Sequence, residues 1–256
     1  MRTNNFSYLV IFLFISACTG AKHFTKEIID PVFAQKEITV IQQELDEIFS
    51  LLTYAIVYHH WQPGDIRRDK RRGYNIGALL VNPANEPVFY GLNCINSTEN
   101  ATQHGEVRSI TGYLDKTKRF NLEGFTIYTS LEPCVMCAGM ITMTSVKRVV
   151  YGQHDVEYSK AFERLAIDTR PIGGFAPYPR VVIAQASSSK FCGLLDKAYQ
   201  DFIANETEKM LARFLTFDTA HEIFKNATND FLSYHVKYPE NIKIYENALN
   251  YYKSFQ

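Results

Sequence analysis

His104-Gly105-Glu106 and Pro133-Cys134-Val135-Met136-Cys137 constrain the fold more than any other part of the sequence, because their side chains make chemical sense only if they meet. One imidazole and two sulfurs are three ligands for a borderline-soft metal. Zinc in a catalytic site takes three protein ligands and keeps a fourth position for water. Pro133 suits the first position of a helix, where its missing N–H costs nothing. Cys134 and Cys137 then share one face of the first turn, and the positive helix end favours thiolate. His104 and Glu106 stand two apart and do not share a face, so one binds metal while the other approaches the bound water. The expectation is one Zn2+ per chain on His104, Cys134 and Cys137, with Glu106 as the proton shuttle. Taken alone, a Cys-x-x-Cys is also a redox pair or half of a structural zinc site. A structural Cys2His zinc needs a fourth ligand, from Cys94 or Cys192, and neither sits in a ligand-spaced pair.

The elements around these segments alternate. Ile38, Ile41, Leu45, Ile48, Leu52 and Ile56 recur by threes and fours and predict an amphipathic helix over 37–60. A polar loop follows, with Arg67, Arg68, Lys70, Arg71 and Arg72. Strands are expected at 75–82 and 87–93, joined by the turn Asn82-Pro83-Ala84-Asn85-Glu86. Next come a helix at 104–118, a strand at 125–129, a helix at 134–144 and a strand at 147–152. The connection to a strand at 180–184 is long and carries a helix at 159–166, which allows a parallel crossover. Residues 188–215 read as helical, and the Tyr- and Phe-rich 216–256 as a pair of helices packed on the body. A sharper reading has that tail cover the substrate mouth or make an oligomer contact.

The stretch from Tyr128 to Met140, with Arg148-Val149-Val150-Tyr151-Gly152 behind it, resembles the signature of the cytidine/deoxycytidylate deaminase superfamily. It is most similar to the branch of tRNA adenosine deaminases and guanine deaminases. The resemblance covers roughly residues 40–205 and also takes in Ile76 to Val81 and Gly91-Leu92-Asn93. It implies an α/β fold: a three-layer α/β/α cytidine deaminase-like fold with a mixed five-stranded sheet, here with a helical C-terminal extension. It implies that Asn93 touches the substrate base, that Gly77 and Ala78 bring backbone close to it, and that the protein is a homodimer. The plainer readings are a strand-end cap for Asn93 and tight packing for Gly77 and Ala78. Two positions depart from the family pattern: Gly105, where Ala is common, and Cys94, where a polar or basic residue is expected.

The N-terminus reads separately. Arg2 precedes the apolar run Leu9 to Ile15, which is too short to span a membrane stably. Ile15-Ser16-Ala17-Cys18 resembles the lipobox of bacterial lipoproteins. The expected organisation is a signal peptide over 1–18 with lipidation at Cys18, a linker over 19–36, a zinc-dependent deaminase domain over 37–205, and a helical extension over 206–256. The expected location is the periplasm or cell-envelope membrane. Cys94 and Cys192 could there pair, stay free or be buried.

Lys+Arg and Asp+Glu both number 27, so the formal net charge is zero. A protein built to embrace tRNA or DNA usually carries a basic excess. The balance therefore favours a small purine or pyrimidine base, nucleoside or nucleotide as substrate. A nucleic-acid deaminase and a catalytically silent zinc-binding surface lipoprotein are the alternatives.

Overall fold

The computed structural model describes residues 38–255. The expected signal peptide, Cys18 and the expected linker lie outside the described residues. The helix expected over 37–60 is α1, Val40–His59, with the Thr39 hydroxyl accepting from the Gln42 N–H at its start. It leads through the basic loop to the hairpin of β1, Gly77–Val81, and β2, Pro87–Leu92. Asn82 closes the turn: its Oδ1 accepts from the amides of Ala84 and Glu86.

The order then runs α2, Gly105–Thr117, β3, Thr126–Thr129, α3, Val135–Met143, and β4, Arg148–Tyr151. The connection after β4 holds the short helix α4, Ala161–Leu165, and a 3-10 turn at Arg170–Ile172 before β5, Ile183–Ala186. The strands line up β2-β1-β3-β4-β5. The first pairs are antiparallel and the last two parallel, so the sheet is mixed and five-stranded as expected. The crossover between β4 and β5 is the parallel one that its length allows.

Residues of β1 alternate between two cores. Leu79 and Val81 face a cluster built with α1, while Ala78 and Leu80 face one built with α2, α3 and α4. Helices therefore cover both faces of the sheet and give three layers. The α1 side continues into α5, Lys190–Asn205, α6, Leu211–Phe214, α7, Asp218–Leu232, and α8, Pro239–Lys253.

Three expectations need correcting. The last strand begins at Ile183 and not at residue 180, because its register on β4 pairs Arg148 with Ile183 and Tyr151 with Ala186. The helix expected over 188–215 is two, broken between Asn205 and Leu211, where the Tyr199 hydroxyl donates to the Lys209 carbonyl. Pro133 precedes the helix: Cys134 is the N-cap of α3 and Val135 its first residue.

Candidate active site

The two loaded segments meet at two helix starts. His104 is the N-cap of α2 and Cys134 the N-cap of α3, both with extended backbone. Neither side chain caps its own helix, so each is free for another partner. Cys137 lies inside the first turn of α3, fully buried. His104 Nδ1 stands 3.7 Å from Cys134 Sγ and 3.5 Å from Cys137 Sγ, and the two sulfurs are 3.7 Å apart. Tetrahedral zinc, with Zn–S about 2.3 Å and Zn–N about 2.0 Å, puts such atoms about 3.8 Å (S···S) and about 3.5 Å (S···N) apart. The donor set and its spacing fit zinc.

The site's electrostatics carry the same mark. The hydrogen bond from Cys137, and then the one with His104, pull the Cys134 thiol down to about 4. Cys137 is pushed up by its hydrogen bond with Cys134 and by burial. The His104 imidazole is raised chiefly by Cys134.

Glu106 sits in the first turn of α2, 3% exposed. Its Oε2 is 3.5 Å from Cys137 Sγ. Burial lifts its carboxyl above the ordinary carboxylate range, partly offset by the backbone N–H it accepts and by His104. The Thr129 hydroxyl, at the end of β3, lies 3.2 Å from Glu106 Oε1 and 2.9 Å from the Leu131 carbonyl. One hydroxyl has one proton and two lone pairs. Thr129 therefore donates to an ionised Glu106, or donates to Leu131 and accepts from a protonated one. Sequence reasoning missed this residue, since a strand Thr carries no spacing signal.

Close backbone approach sets the start of α2. A Cβ on Gly91 would stand 2.3 Å from the Gly105 carbonyl, and one on Gly105 would stand 3.1 Å from Gly77 Cα and 3.2 Å from the Ala78 amide nitrogen. The Gly105 departure thus matches a tight contact between α2 and the hairpin. Gly77 and Ala78 are both buried, and a Cβ on Gly77 would meet Val57 and Leu92.

Asn93 follows β2 and is 1% exposed. Its Oδ1 accepts from the amides of Tyr74 (3.1 Å) and Ile95 (3.4 Å). Its Nδ2 has no protein acceptor among the described residues. Asn93 thus holds two loops together and keeps a donor in hand.

Those loops border a cleft of about 750 Å³ lined by Arg67, Arg68, Ile95, Asn96, Glu99 and Asn100, among others. The basic loop largely binds itself. Arg71 donates to the Gly64 and Ile66 carbonyls, Arg72 to the Asn93 and His60 carbonyls, and Arg67 pairs with Asp69. Cys94 and Cys192 are buried free thiols. No helix among the described residues is long and apolar enough to cross a membrane.

Residues 65–153 match the family model for the cytidine and deoxycytidylate deaminase zinc-binding region. The chain is similar to the "Probable cytosine deaminase" of Schizosaccharomyces pombe, 37% identical over 113 residues, 42% of this chain and 68% of that protein. It is also similar to "tRNA-specific adenosine deaminase 2" of Xenopus tropicalis, 39% identical over 83 residues, 30% of this chain and 48% of that one. It spans about half the length of such tRNA-specific relatives. Among solved structures, the guanine deaminase from Nitrosomonas europaea is 16% identical with a TM-score of 0.34, covering 61% of this chain and 74% of its own.

Proposed function

Because this chain belongs to the cytidine and deoxycytidylate deaminase superfamily, we propose that it is a zinc-dependent hydrolase that replaces the exocyclic amino group of a purine or pyrimidine with a carbonyl oxygen and releases ammonia. The observation that carries this reading is the Glu106 carboxylate. It is buried beside the three metal donors, and three protein ligands already suit a catalytic zinc. A purely structural site has no use for it.

His104, Cys134 and Cys137 would hold the metal, which when bound lowers the pKa of water and supplies a nucleophile near neutral pH. Glu106 takes a proton from the attacking water and passes it to a ring nitrogen. It then serves the departing amine, so water and the amino compound become the carbonyl product and ammonia. Thr129 holds the Glu106 carboxyl in either protonation state. Asn93 offers its Nδ2 to an acceptor on the base edge. Gly77 and Ala78 give the floor on which α2 is seated.

A small substrate is favoured by the zero net charge and by the commitment of Arg71 and Arg72 to loop carbonyls. Likeness to tRNA-specific adenosine deaminases favours a second reading, a nucleic-acid substrate. Ammonia release from a panel of bases, nucleosides and nucleotides, run beside tRNA and single-stranded DNA sequenced for A-to-I and C-to-U changes, separates the two. Self-association belongs to the same proposal, since Val135 and Met143 of α3 are exposed apolar side chains.

The N-terminal signal and Cys18 extend the proposal to export and lipid anchoring at the cell envelope. Mass spectrometry of the mature N-terminus tests it. A diacylglyceryl group on Cys18, absent in Cys18→Ala, is expected, and an unprocessed cytosolic chain contradicts it.

A further inference from the structure

We propose that His154, Cys192 and Asp196 form a second divalent-metal site, of the zinc class, that ties the loop after β4 to α5. An imidazole nitrogen, a sulfur and a carboxylate oxygen lie there within 4.8 Å of one another, apart from the His104, Cys134 and Cys137 group. Helix α5 places Cys192 and Asp196 four residues apart on one face. The loop brings His154 onto them. Its backbone N–H donates to Asp196 Oδ1 at 3.0 Å, and its Nδ1 lies 2.7 Å from Asp196 Oδ2. Cys192 Sγ stands 4.0 Å from the same Oδ2.

Tetrahedral zinc sets N···O at about 3.3 Å and S···O at about 3.5 Å. Asp196 Oδ2 is therefore closer to His154 and farther from Cys192 than two ligands of one zinc stand, so binding requires its carboxylate to turn towards the sulfur. That carboxylate is 30% exposed, and the turn exchanges the direct Oδ2 contact with His154 Nδ1 for one through the metal while Oδ1 keeps the His154 N–H. The ring of Tyr151 meets His154 edge to face at 5.3 Å. The mixed donor set fits zinc and does not fit the all-oxygen preference of calcium or magnesium. With the His154 side chain 47% exposed, the remaining coordination position is open to water.

The placement has a consequence for the first site. Glu132, two residues before Cys134, accepts from the amides of Asp155 (3.2 Å) and Lys160 (2.9 Å), and its own N–H donates to the Gln153 carbonyl (2.8 Å). A cation on His154 would brace the loop that steadies the Glu132-Pro133-Cys134 turn. The two sites are linked through that loop without sharing a ligand.

The test is equilibrium dialysis of the full chain against buffered free Zn2+, from nanomolar to tens of micromolar, with bound metal read by mass spectrometry. Two equivalents are expected for the wild type, and one for His154→Ala and for Cys192→Ser. His154 is half-exposed, so its variant removes a ligand without opening the core. In cobalt-loaded protein, thiolate-to-metal absorption should fall in Cys192→Ser. A wild type that binds a single equivalent across the range overturns the proposal, as does a second equivalent that survives in either variant. The readout is stoichiometry, so it stands whether or not ammonia is released.

Discussion

Asp46 of α1 and Arg148 of β4 form a buried two-pronged ion pair, with Nη1···Oδ1 at 3.1 Å and Nη2···Oδ2 at 2.6 Å. The Tyr128 hydroxyl of β3 and the Gln185 amide of β5 donate to the same carboxylate. One acid thereby stitches α1 across three strands. Removing one partner of such a pair leaves the other charge buried without compensation. Asp46→Ala is expected to lower stability by about 3–5 kcal/mol, read from urea denaturation. A loss below about 1 kcal/mol, the scale of an exposed pair, contradicts this.

Thr129→Val keeps the shape of the side chain and removes the hydroxyl that positions Glu106. A lost hydrogen bond of about 1.4 kcal/mol is about tenfold in rate, so kcat is expected to fall roughly that much with KM little changed. A change in KM alone would place Thr129 in substrate binding instead.

Gly91→Ala drives a methyl into the Gly105 carbonyl, at 2.3 Å, and the Ser109 amide, at 2.5 Å. Both belong to α2, which carries His104 and Glu106 at its start. Overpacking against backbone is expected to cost about 1–3 kcal/mol and to weaken zinc retention. Gly139→Ala on α3 is the control, with nothing within 4 Å of the new carbon. There a gain of about 0.5–1 kcal/mol is expected from helix propensity. Thermal melts and metal content of the two variants decide it.

Asn93→Asp keeps the acceptor used by Tyr74 and Ile95 and removes the Nδ2 donor. It should fold better than Asn93→Ala and still bind substrate about tenfold more weakly than the wild type. Equal stability of the two variants would remove the loop-bridging role, and an unchanged KM in the Asp variant would remove the base-reading one.

The sheet and the metal group were legible because their signals are local. β1 is a short continuous apolar run, as a strand buried on both faces should be, and the helix starts at His104 and Cys134 show in ligand spacing. The tail was legible only as helices. What seats it is Glu44 of α1, which accepts from the amides of Lys237 and Tyr238 and from the Asn241 side chain. A charged residue on a helix reads as solvent-facing until its partner, remote in the chain, is known. Asp46 and Ser50 are buried for the same reason, since α1 is covered by the sheet on one side and by α7 and α8 on the other. In the basic loop, sequence cannot tell a free Arg from Arg71 or Arg72, which donate to the carbonyls of Gly64, Ile66, Asn93 and His60.

Ammonia release by zinc-loaded wild type and Glu106→Ala, with metal content measured on both, decides whether Glu106 and a bound zinc make this chain a deaminase. The wild type is expected to deaminate at least one purine or pyrimidine. The variant is expected to lose at least about a hundredfold in kcat while holding the same zinc. A wild type silent on every base, nucleoside, nucleotide and nucleic acid tried, or a Glu106→Ala variant as active as its parent, would contradict it.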